Sequence, residues 1–410
     1  MTASACRFCR SELRRSFVDL GRSPLSNALL TAEQLPVMEP HYPLHAYVCE
    51  TCLLVQLQAV ATPDTIFTNY PYFSSFSETW LRHSEAYAER MTRELGLGPG
   101  SLVVEPASND GHLLHNFRRR GIGVLGVEPA ANVAAVAAAR GVPTEVAFFG
   151  TATARRLAAA GRQADLICAN NVLAHVPDLN DFVAGLAILL KPSGTITAEF
   201  PHLLRLIAER QFDTIYHEHL SYFSLLVVDK VFAKHGLRVF DVDRLRTHGG
   251  SLRVHACHAA DTSRMRGERF AAVIAEETQA GLADLATYDR FAATVVEAKC
   301  QVLAFLIGAR RCGRSVAGYG APAKASTLLN YCGVGPELLA FTVDRSPHKQ
   351  GRFLPGRQIP IFAPERIFAE RPDYVFILPW NLQDEIINQM QGVRDWGGRF
   401  VVPIPELRVI

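Results

Sequence analysis

The 410-residue chain has almost no charge of either sign in excess: 42 basic and 40 acidic side chains leave +2. That balance argues against nucleic acid or a membrane surface as the main partner. Long hydrophobic runs are missing too, since no uninterrupted apolar stretch approaches the roughly 20 residues a bilayer span requires. The first residues, MTASACRFCR, hold no apolar signal core, so a cytoplasmic protein is the expectation. Extended disorder is excluded, because 49% of the residues are hydrophobic, enough to bury large cores. A chain of this length exceeds one comfortable core, and two or three domains are expected.

Without an export signal, the nine cysteines read as reduced thiols rather than disulfide partners. Cys6 and Cys9, then Cys49 and Cys52, form two C-x-x-C pairs separated by 39 residues, and the other five are scattered singly. Two intervening residues make a knuckle tight enough to aim both thiolates at one point, so two such pairs suit one zinc ion. A redox pair is the competing reading. Four thiolates fill the tetrahedral shell, which makes the zinc structural. The same region contains LGRSPLSNALL from Leu20, an irregular loop around Pro24 and Asn27. Just beyond, NYPYFSSFS, Asn69 to Ser77, interleaves aromatic rings with hydroxyls. It either lines a pocket or packs as an ordinary interdomain linker.

From Ser101 the pattern changes to SLVVEPASNDGHLL. It reads as an apolar strand, Leu102 to Glu105, a small-residue turn, Ala107 to Gly111, and a helix carrying Leu113, Leu114 and Phe117. A second strand, Gly123 to Val127, ends at Glu128, which completes the opening of a nucleotide-binding βαβ unit. The glycines do not follow G-x-G-x-x-G, and this points away from a dinucleotide toward another adenosyl ligand. A carboxylate at the end of the second strand can accept from both ribose hydroxyls, a role that falls to Glu128. A third strand, Asp165 to Ala169, leads into NNVLAHVPD; a helix and the turn KPSG precede a further strand at Thr195 to Phe200. Strands alternating with helices predict an α/β fold with a parallel, doubly wound sheet.

The strand ending in Glu105, the acid after the next strand and KPSG before a later one together resemble class I S-adenosylmethionine-dependent methyltransferases. The resemblance implies that Glu105, Ala107, Asn109 and Gly111 accommodate the methionine part of S-adenosylmethionine. It gives Glu128 the ribose and puts Asn170 and Asn171 beside the transferring methyl. Pro106-Ala107-Ser108 departs from the pattern, because many members have glycines there. After an alanine-rich helical stretch, Arg264 to Arg311, a second strand-turn-helix begins at SVAGYGAPAKASTLLNY, with Asp344 after the next strand and YVFIL, Tyr374 to Leu378, as a third strand. Gly318, Gly320 and the amides of the helix start, with Lys324 nearby, suit a diphosphate or form a purely structural turn.

The stretch YHEHLSYFS, Tyr216 to Ser224, follows neither a helical nor a strand period and has three readings. A metal wants several converging imidazoles or carboxylates, and His217 and His219 at i, i+2 project the same way only on a strand. A satisfied polar turn is the second. The third is acid–base chemistry, with a histidine that titrates near neutrality and a tautomer fixed by Glu218 or a tyrosine.

Taken in order, the two C-x-x-C pairs, NYPYFSSFS, EPASNDG, NNVLAHVPD, YHEHLSYFS, THGGSLR from Thr247 and GYGAPAKA from Gly318 resemble the sugar C-methyltransferases of deoxysugar biosynthesis along nearly the whole chain. The resemblance implies a zinc-binding domain over residues 1–68 and an S-adenosylmethionine-binding methyltransferase domain over 69–255. A Rossmann-like domain over 256–410 would help to anchor a thymidine-diphosphate sugar. The implied substrate is a 4-keto deoxysugar nucleotide methylated at C-3, where either an amino or a hydroxyl group stands. His219 is the implied base, with Tyr216, Glu218, Tyr222 and His175 around the sugar; Tyr70, Tyr72, Ser75, His248 and Lys324 are the further substrate-side candidates. A monomer is expected. Two other readings stand beside this one. A nicotinamide-dependent sugar-nucleotide dehydrogenase or epimerase would carry a glycine-rich turn and a Tyr-x-x-x-Lys pair, which the middle region lacks. A non-catalytic, nucleotide-sensing zinc adaptor would leave the His-Glu-His cluster without a task.

Overall fold

The computed structural model describes residues 5–60 and 78–410; Tyr70, Tyr72 and Ser75 lie outside the described residues. Strands β1 (Arg15–Ser23), β2 (Tyr42–Val48) and β3 (Val55–Leu57) form an antiparallel meander. Next come β4 (Leu102–Pro106), β5 (Gly123–Val127), β6 (Thr144–Glu145), β7 (Ala164–Asn170) and β8 (Leu190–Pro201). The two-residue β9 (Ser221–Tyr222) then pairs with β3, so YHEHLSYFS ends as the fourth strand of the amino-terminal sheet. Strands β10 (Leu237–Leu245) and β11 (Ser251–His258) complete a seven-stranded central sheet of order β10-β11-β8-β7-β4-β5-β6.

The central sheet is parallel from β8 to β6, but β11 runs antiparallel to both β8 and β10. The expectation of a parallel doubly wound sheet is corrected at that edge. Residues 246–250 join β10 to β11, and so short a connection between paired strands permits only an antiparallel return. KPSG belongs to β8 itself rather than to a turn before it. The strands β4 and β7 bury nearly every side chain, as a sheet covered on both faces requires.

The carboxyl-terminal sheet has six strands: β12 (Val316–Tyr319), β13 (Thr342–Val343), β14 (Ile361–Phe362), β15 (Tyr374–Ile377), β16 (Arg399–Val402) and β17 (Arg408–Val409). Their order is β14-β13-β12-β15-β16-β17, parallel except at β17. The helical stretch expected from Arg264 to Arg311 breaks into Glu268–Gln279, Leu285–Asp289 and Phe291–Arg311. The break follows from Gly281, with φ of +81°, and from Asp284, which caps the next helix through Ala286 N at 3.0 Å. The span Leu285–Arg311 has the length and hydropathy of a membrane helix. Its buried stripe of Phe291, Val295, Ala298, Val302 and Leu306, at helical spacing, joins the core of the amino-terminal and carboxyl-terminal sheets instead. Phe17 of β1 stacks on Phe291 with centroids 4.5 Å apart.

Each parallel sheet has a point where the winding reverses. In the central sheet β4 lies between β5 and β7; in the carboxyl-terminal sheet β12 lies between β13 and β15. Connections leaving in opposite directions open a crevice at the carboxyl ends of those strands. The turn 107–111 and Asn170–Asn171 stand at the first, Gly320 to Lys324 and Trp380–Asn381 at the second.

Candidate active site

The two cysteine knuckles are built alike. In the first, Arg10 N donates to Cys6 O at 3.0 Å and Cys6 N to Ser11 O at 2.7 Å; in the second, Leu53 N donates to Cys49 O at 2.8 Å and Cys49 N to Leu54 O at 3.0 Å. Arg10 and Leu53, four residues after the leading cysteine, both turn left-handed, with φ of +67° and +69°. All four sulfurs lie within 4.8 Å of one another, with Cys6–Cys52 at 3.6 Å and Cys9–Cys49 at 3.4 Å. Tetrahedral Zn–S bonds put sulfurs about 3.8 Å apart, so the four thiolates fit a closed zinc shell. Among the described residues no other group of three or more His, Cys, Asp or Glu side chains is placed for a metal.

At the central crevice, Glu128 spans the turn after β4. One carboxylate oxygen accepts from Asn109 N at 2.9 Å and the other from Ala130 N at 2.9 Å. Each oxygen keeps a further lone pair for a ribose hydroxyl. Ala107 and Asn109 adopt φ of +55° and +49°. The turn is therefore left-handed without glycine at these positions; alanine holds it at a cost of about 1 kcal/mol. Gly111, with φ of +74°, leads into the helix His112–Arg118. Among the described residues Glu105 Oε2, Asn170 Oδ1 and Asn171 Nδ2 are buried polar atoms without a partner. The Glu105 carboxyl is pushed well up by burial and by the charges of Asp110, Glu128 and Glu199. A ligand bringing a positive charge and hydrogen-bonding groups would satisfy all three, and S-adenosylmethionine carries a sulfonium, an ammonium and a carboxylate.

The base candidates gather on one side of this crevice. His219 Nδ1 meets Thr214 O at 3.0 Å, and because a carbonyl only accepts, Nδ1 carries the hydrogen. Its Nε2 lone pair therefore faces the Tyr216 hydroxyl, which donates at 2.7 Å. His175 stands edge-on to His219 with centroids 4.8 Å apart, and its Nδ1 donates to Glu218 O at 2.8 Å. His248, in the left-handed region at φ of +56°, joins from the β10–β11 loop. His219 is driven well below the usual imidazole range by burial, then by the charge of His175, with His248 and Lys324 adding to it. His175 is lowered to about 4, chiefly by burial, and the exposed His248 is lowered as well, with Lys324 contributing. All three rings are neutral at neutral pH.

Two expectations about YHEHLSYFS change. The His219 tautomer is set by the Thr214 carbonyl on Nδ1 together with the Tyr216 hydroxyl on Nε2, the tyrosine alternative, and not by Glu218. The Glu218 carboxylate turns away and accepts from Asn27 Nδ2 at 2.9 and 2.8 Å. His217 faces β2, with Nε2 donating to Pro43 O at 3.2 Å and its ring edge-on to Tyr42. The two histidines do not converge, so the metal reading of this stretch falls. The Tyr222 hydroxyl is buried, and its ring meets His219 edge-on, centroids 6.4 Å apart.

Residues that the sequence did not single out complete the surroundings. Trp80 lies against His83 at 5.0 Å and against His248 at 5.5 Å, and donates from Nε1 to His112 Nε2 at 2.9 Å. It thus connects the histidine cluster to the helix that follows the cofactor turn. Asp213 accepts from Trp380 Nε1 at 2.7 Å. A charged residue ahead of YHEH and an asparagine inside a proline loop were the signals for Asp213 and Asn27, but neither pointed to its partner.

Family models match three consecutive stretches: "Putative zinc binding domain" over residues 6–67, "Methyltransferase domain" over 80–242 and "C-methyltransferase C-terminal domain" over 246–405. The chain is 40% identical over 405 residues to C-methyltransferase NovU of Streptomyces niveus, covering 99% of this chain and 96% of that one. The chain belongs to the NovU family of C-methyltransferases. It is an S-adenosylmethionine-dependent enzyme with a structural zinc site, and the dehydrogenase and adaptor readings end here. Similar solved structures include magnesium protoporphyrin IX methyltransferase of Synechocystis PCC 6803, 14% identical over 43% of this chain and 79% of that one, TM-score 0.34. Another is the 1,6-didemethyltoxoflavin-N1-methyltransferase of Burkholderia thailandensis, 17% identical over 52% of this chain and 97% of that one, TM-score 0.35.

Within this C-methyltransferase, Glu218 makes a prediction about stability. Burial raises its carboxyl from 4.5 to about 7, against the opposing pull of Asn27. The folded state holds the proton more tightly than the unfolded chain, so stability is lost as pH rises from about 4.5 through about 7. The full cost above that window is about 3 kcal/mol. Glu218→Gln is therefore expected to melt at a higher temperature than the wild type at pH 8, with the gap closing by pH 5. A variant that melts lower at pH 8 contradicts the assignment.

Proposed function

We propose that this enzyme methylates C-3 of a thymidine-diphosphate-linked 4-keto deoxysugar, with His219 as the base that forms the enolate. The observation that carries this reading is the fixed tautomer of His219. Its Nδ1 hydrogen is tied to Thr214 O and its basic Nε2 lies in a cluster of neutral imidazoles beside the crevice fitted to the methyl donor. A hydrogen on the carbon next to a ketone is acidic enough for a positioned imidazole to remove.

In the reaction, His219 Nε2 takes the C-3 proton. The C–H pair becomes the C-3–C-4 double bond, and the carbonyl pair moves onto the C-4 oxygen. S-adenosylmethionine supplies, when bound, an electrophilic methyl whose bonding pair stays with sulfur on transfer. The enolate carbon gains that methyl and the ketone re-forms, after which His219 passes its proton to solvent. Glu105, Ala107, Asn109 and Gly111 would hold the methionine part of the donor, Glu128 its ribose, and Asn170 and Asn171 the edge of the methyl site. Tyr216 lies on the base itself, and its hydroxyl must yield Nε2 to the sugar or relay the proton. His175 and Tyr222 pack edge-on against the ring, and His248 is a further candidate on the sugar side. Tyr70, Tyr72 and Ser75 are further candidates on the sugar side.

The test is to incubate the purified enzyme with methyl-labelled S-adenosylmethionine and thymidine-diphosphate-linked 4-keto sugars bearing an amino or a hydroxyl group at C-3. Label on C-3 of either sugar supports the reading. Label on oxygen or nitrogen, or none on any ketosugar, rejects it.

A further inference from the structure

The Lys324 side chain has a different setting from the one its sequence suggests. It stands at the start of the helix Ala323–Cys332, where helix-start amides and a cation would suit a diphosphate. In the fold the Ala321 amide is already taken by the Asp344 carboxylate at 2.8 Å, and Asp344 has its own cation in Lys349 at 3.4 Å. A diphosphate laid on this turn would meet that carboxylate. The Lys324 ammonium turns to the switch-point crevice instead, donating to Asn381 Oδ1 at 2.8 Å and lying 4.3 Å over the Trp380 ring.

This cation faces the histidine cluster. Thr327, three residues on and on the same face of the helix, donates to Ile215 O at 2.9 Å, directly ahead of Tyr216. Trp380 beneath the ammonium packs on the loop that holds His248: a Cβ on Gly249 would come within 2.6 Å of the Trp380 ring. Lys324 also adds its charge to the groups that hold His219 and His248 in their neutral forms. Among the described residues it forms no ion pair; the nearby Asp213 gives one carboxylate oxygen to Trp380 Nε1, keeps the other without a partner and favours the charged form of the lysine. The half-buried ammonium donates one hydrogen bond, to an amide oxygen, which leaves two of its hydrogens for an anion arriving in the crevice.

Two other described candidates for holding negative charge on the C-4 oxygen are committed elsewhere: the Tyr216 hydroxyl donates to His219, and His175 has its one hydrogen on Nδ1, bound to Glu218 O. We propose that Lys324 is the catalytic electrophile that stabilises the enolate oxygen formed by His219, rather than a ligand of the nucleotide diphosphate. This rests on the enolate reading of the preceding section. The balance is unchanged: the ammonium keeps its three hydrogens and lends one as a hydrogen bond to the oxygen while the carbonyl pair resides there.

The experiment follows exchange of the C-3 hydrogen of a thymidine-diphosphate-linked 3-amino-2,3,6-trideoxy-4-keto-hexose with D2O, in the presence of S-adenosylhomocysteine. The same preparations give methyl-transfer turnover and, by calorimetry, affinity for the sugar nucleotide. Lys324→Met is expected to lose about 10²–10³-fold in both exchange and turnover, the magnitude of removing one oxyanion partner. Affinity should change by no more than about threefold, the pattern of an interaction made only in the transition state. The acid limb of its pH profile should move up toward the ordinary imidazole range. Lys324→Arg, which keeps the charge, should recover part of the exchange and guards against a misfolded Met variant. Loss of affinity with exchange intact would make Lys324 a diphosphate anchor and overturn the proposal. A wild-type enzyme that exchanges no C-3 hydrogen would instead overturn the enolate reading itself, which sets the two failures apart.

Discussion

His219→Asn loses roughly 10²–10⁴-fold in turnover, the range for removal of a general base, while affinity for both S-adenosylmethionine and the ketosugar stays near that of the wild type. Asparagine fits the space of the ring and can still donate to Thr214 O, where His219 Nδ1 sits at 3.0 Å. It offers no lone pair of comparable basicity toward Tyr216. The wild-type pH profile carries an independent mark of the same residue. His219 must be neutral to accept a proton, and burial together with the charges of His175, His248 and Lys324 keeps it so to well below 6.5. Activity should therefore be level through neutral pH and fall only on the acid side of the ordinary imidazole range. An acid limb centred above 6.5, or near-normal turnover in the variant, removes His219 from the mechanism.

Much of the path to this site is readable in local pattern. The strands around Glu105, Glu128 and Asn170 are short apolar runs that stop at small or acidic residues, and the chain crosses the central crevice where they stop. The cysteine knuckles are local turns, and both close as their spacing requires. What stays hidden is pairing across distance. Asn27 reaches Glu218 across 191 positions, and Trp380 reaches Asp213 across 167. No periodicity reports such contacts, because each partner sits in an irregular loop whose course is set by the sheets around it. The Nδ1 partner of His219 is hidden for a related reason: unlike Tyr216 on Nε2, it is a backbone carbonyl, which every residue has and no sequence displays. Lys324 shows a third limit. A glycine turn and a lysine at a helix start are legible, but the bond that Asp344, arriving from the next strand, accepts from Ala321 N is not. The antiparallel edge at β11 was likewise lost because its strand pattern is the same in either direction.

Cys49→Ser is expected to remove the bound zinc and, with it, most of the soluble protein. A structural zinc site supplies on the order of 10 kcal/mol toward folding of its domain, more than the small amino-terminal sheet can replace. The consequence reaches the active site because the domain is bolted to the methyltransferase core at both ends. Asn180 donates to Arg7 O at 3.0 Å and to Phe8 O at 2.9 Å, so the first knuckle is held by the helix Leu179–Leu189. The loop after β1 carries Asn27 to Glu218 and lays Ser26 O on Ser326 Oγ at 2.9 Å, on the helix that bears Lys324. Strand β3 pairs with β9, the last part of the stretch that contains His219. Unclosing the knuckles frees these elements together, so whatever protein remains soluble should have lost turnover in step with metal content, even though no thiolate touches the sugar. Zinc measured by atomic absorption beside methyl-transfer rate decides it: a soluble, zinc-free Cys49→Ser variant with full activity would show that the metal neither folds the domain nor steadies the base.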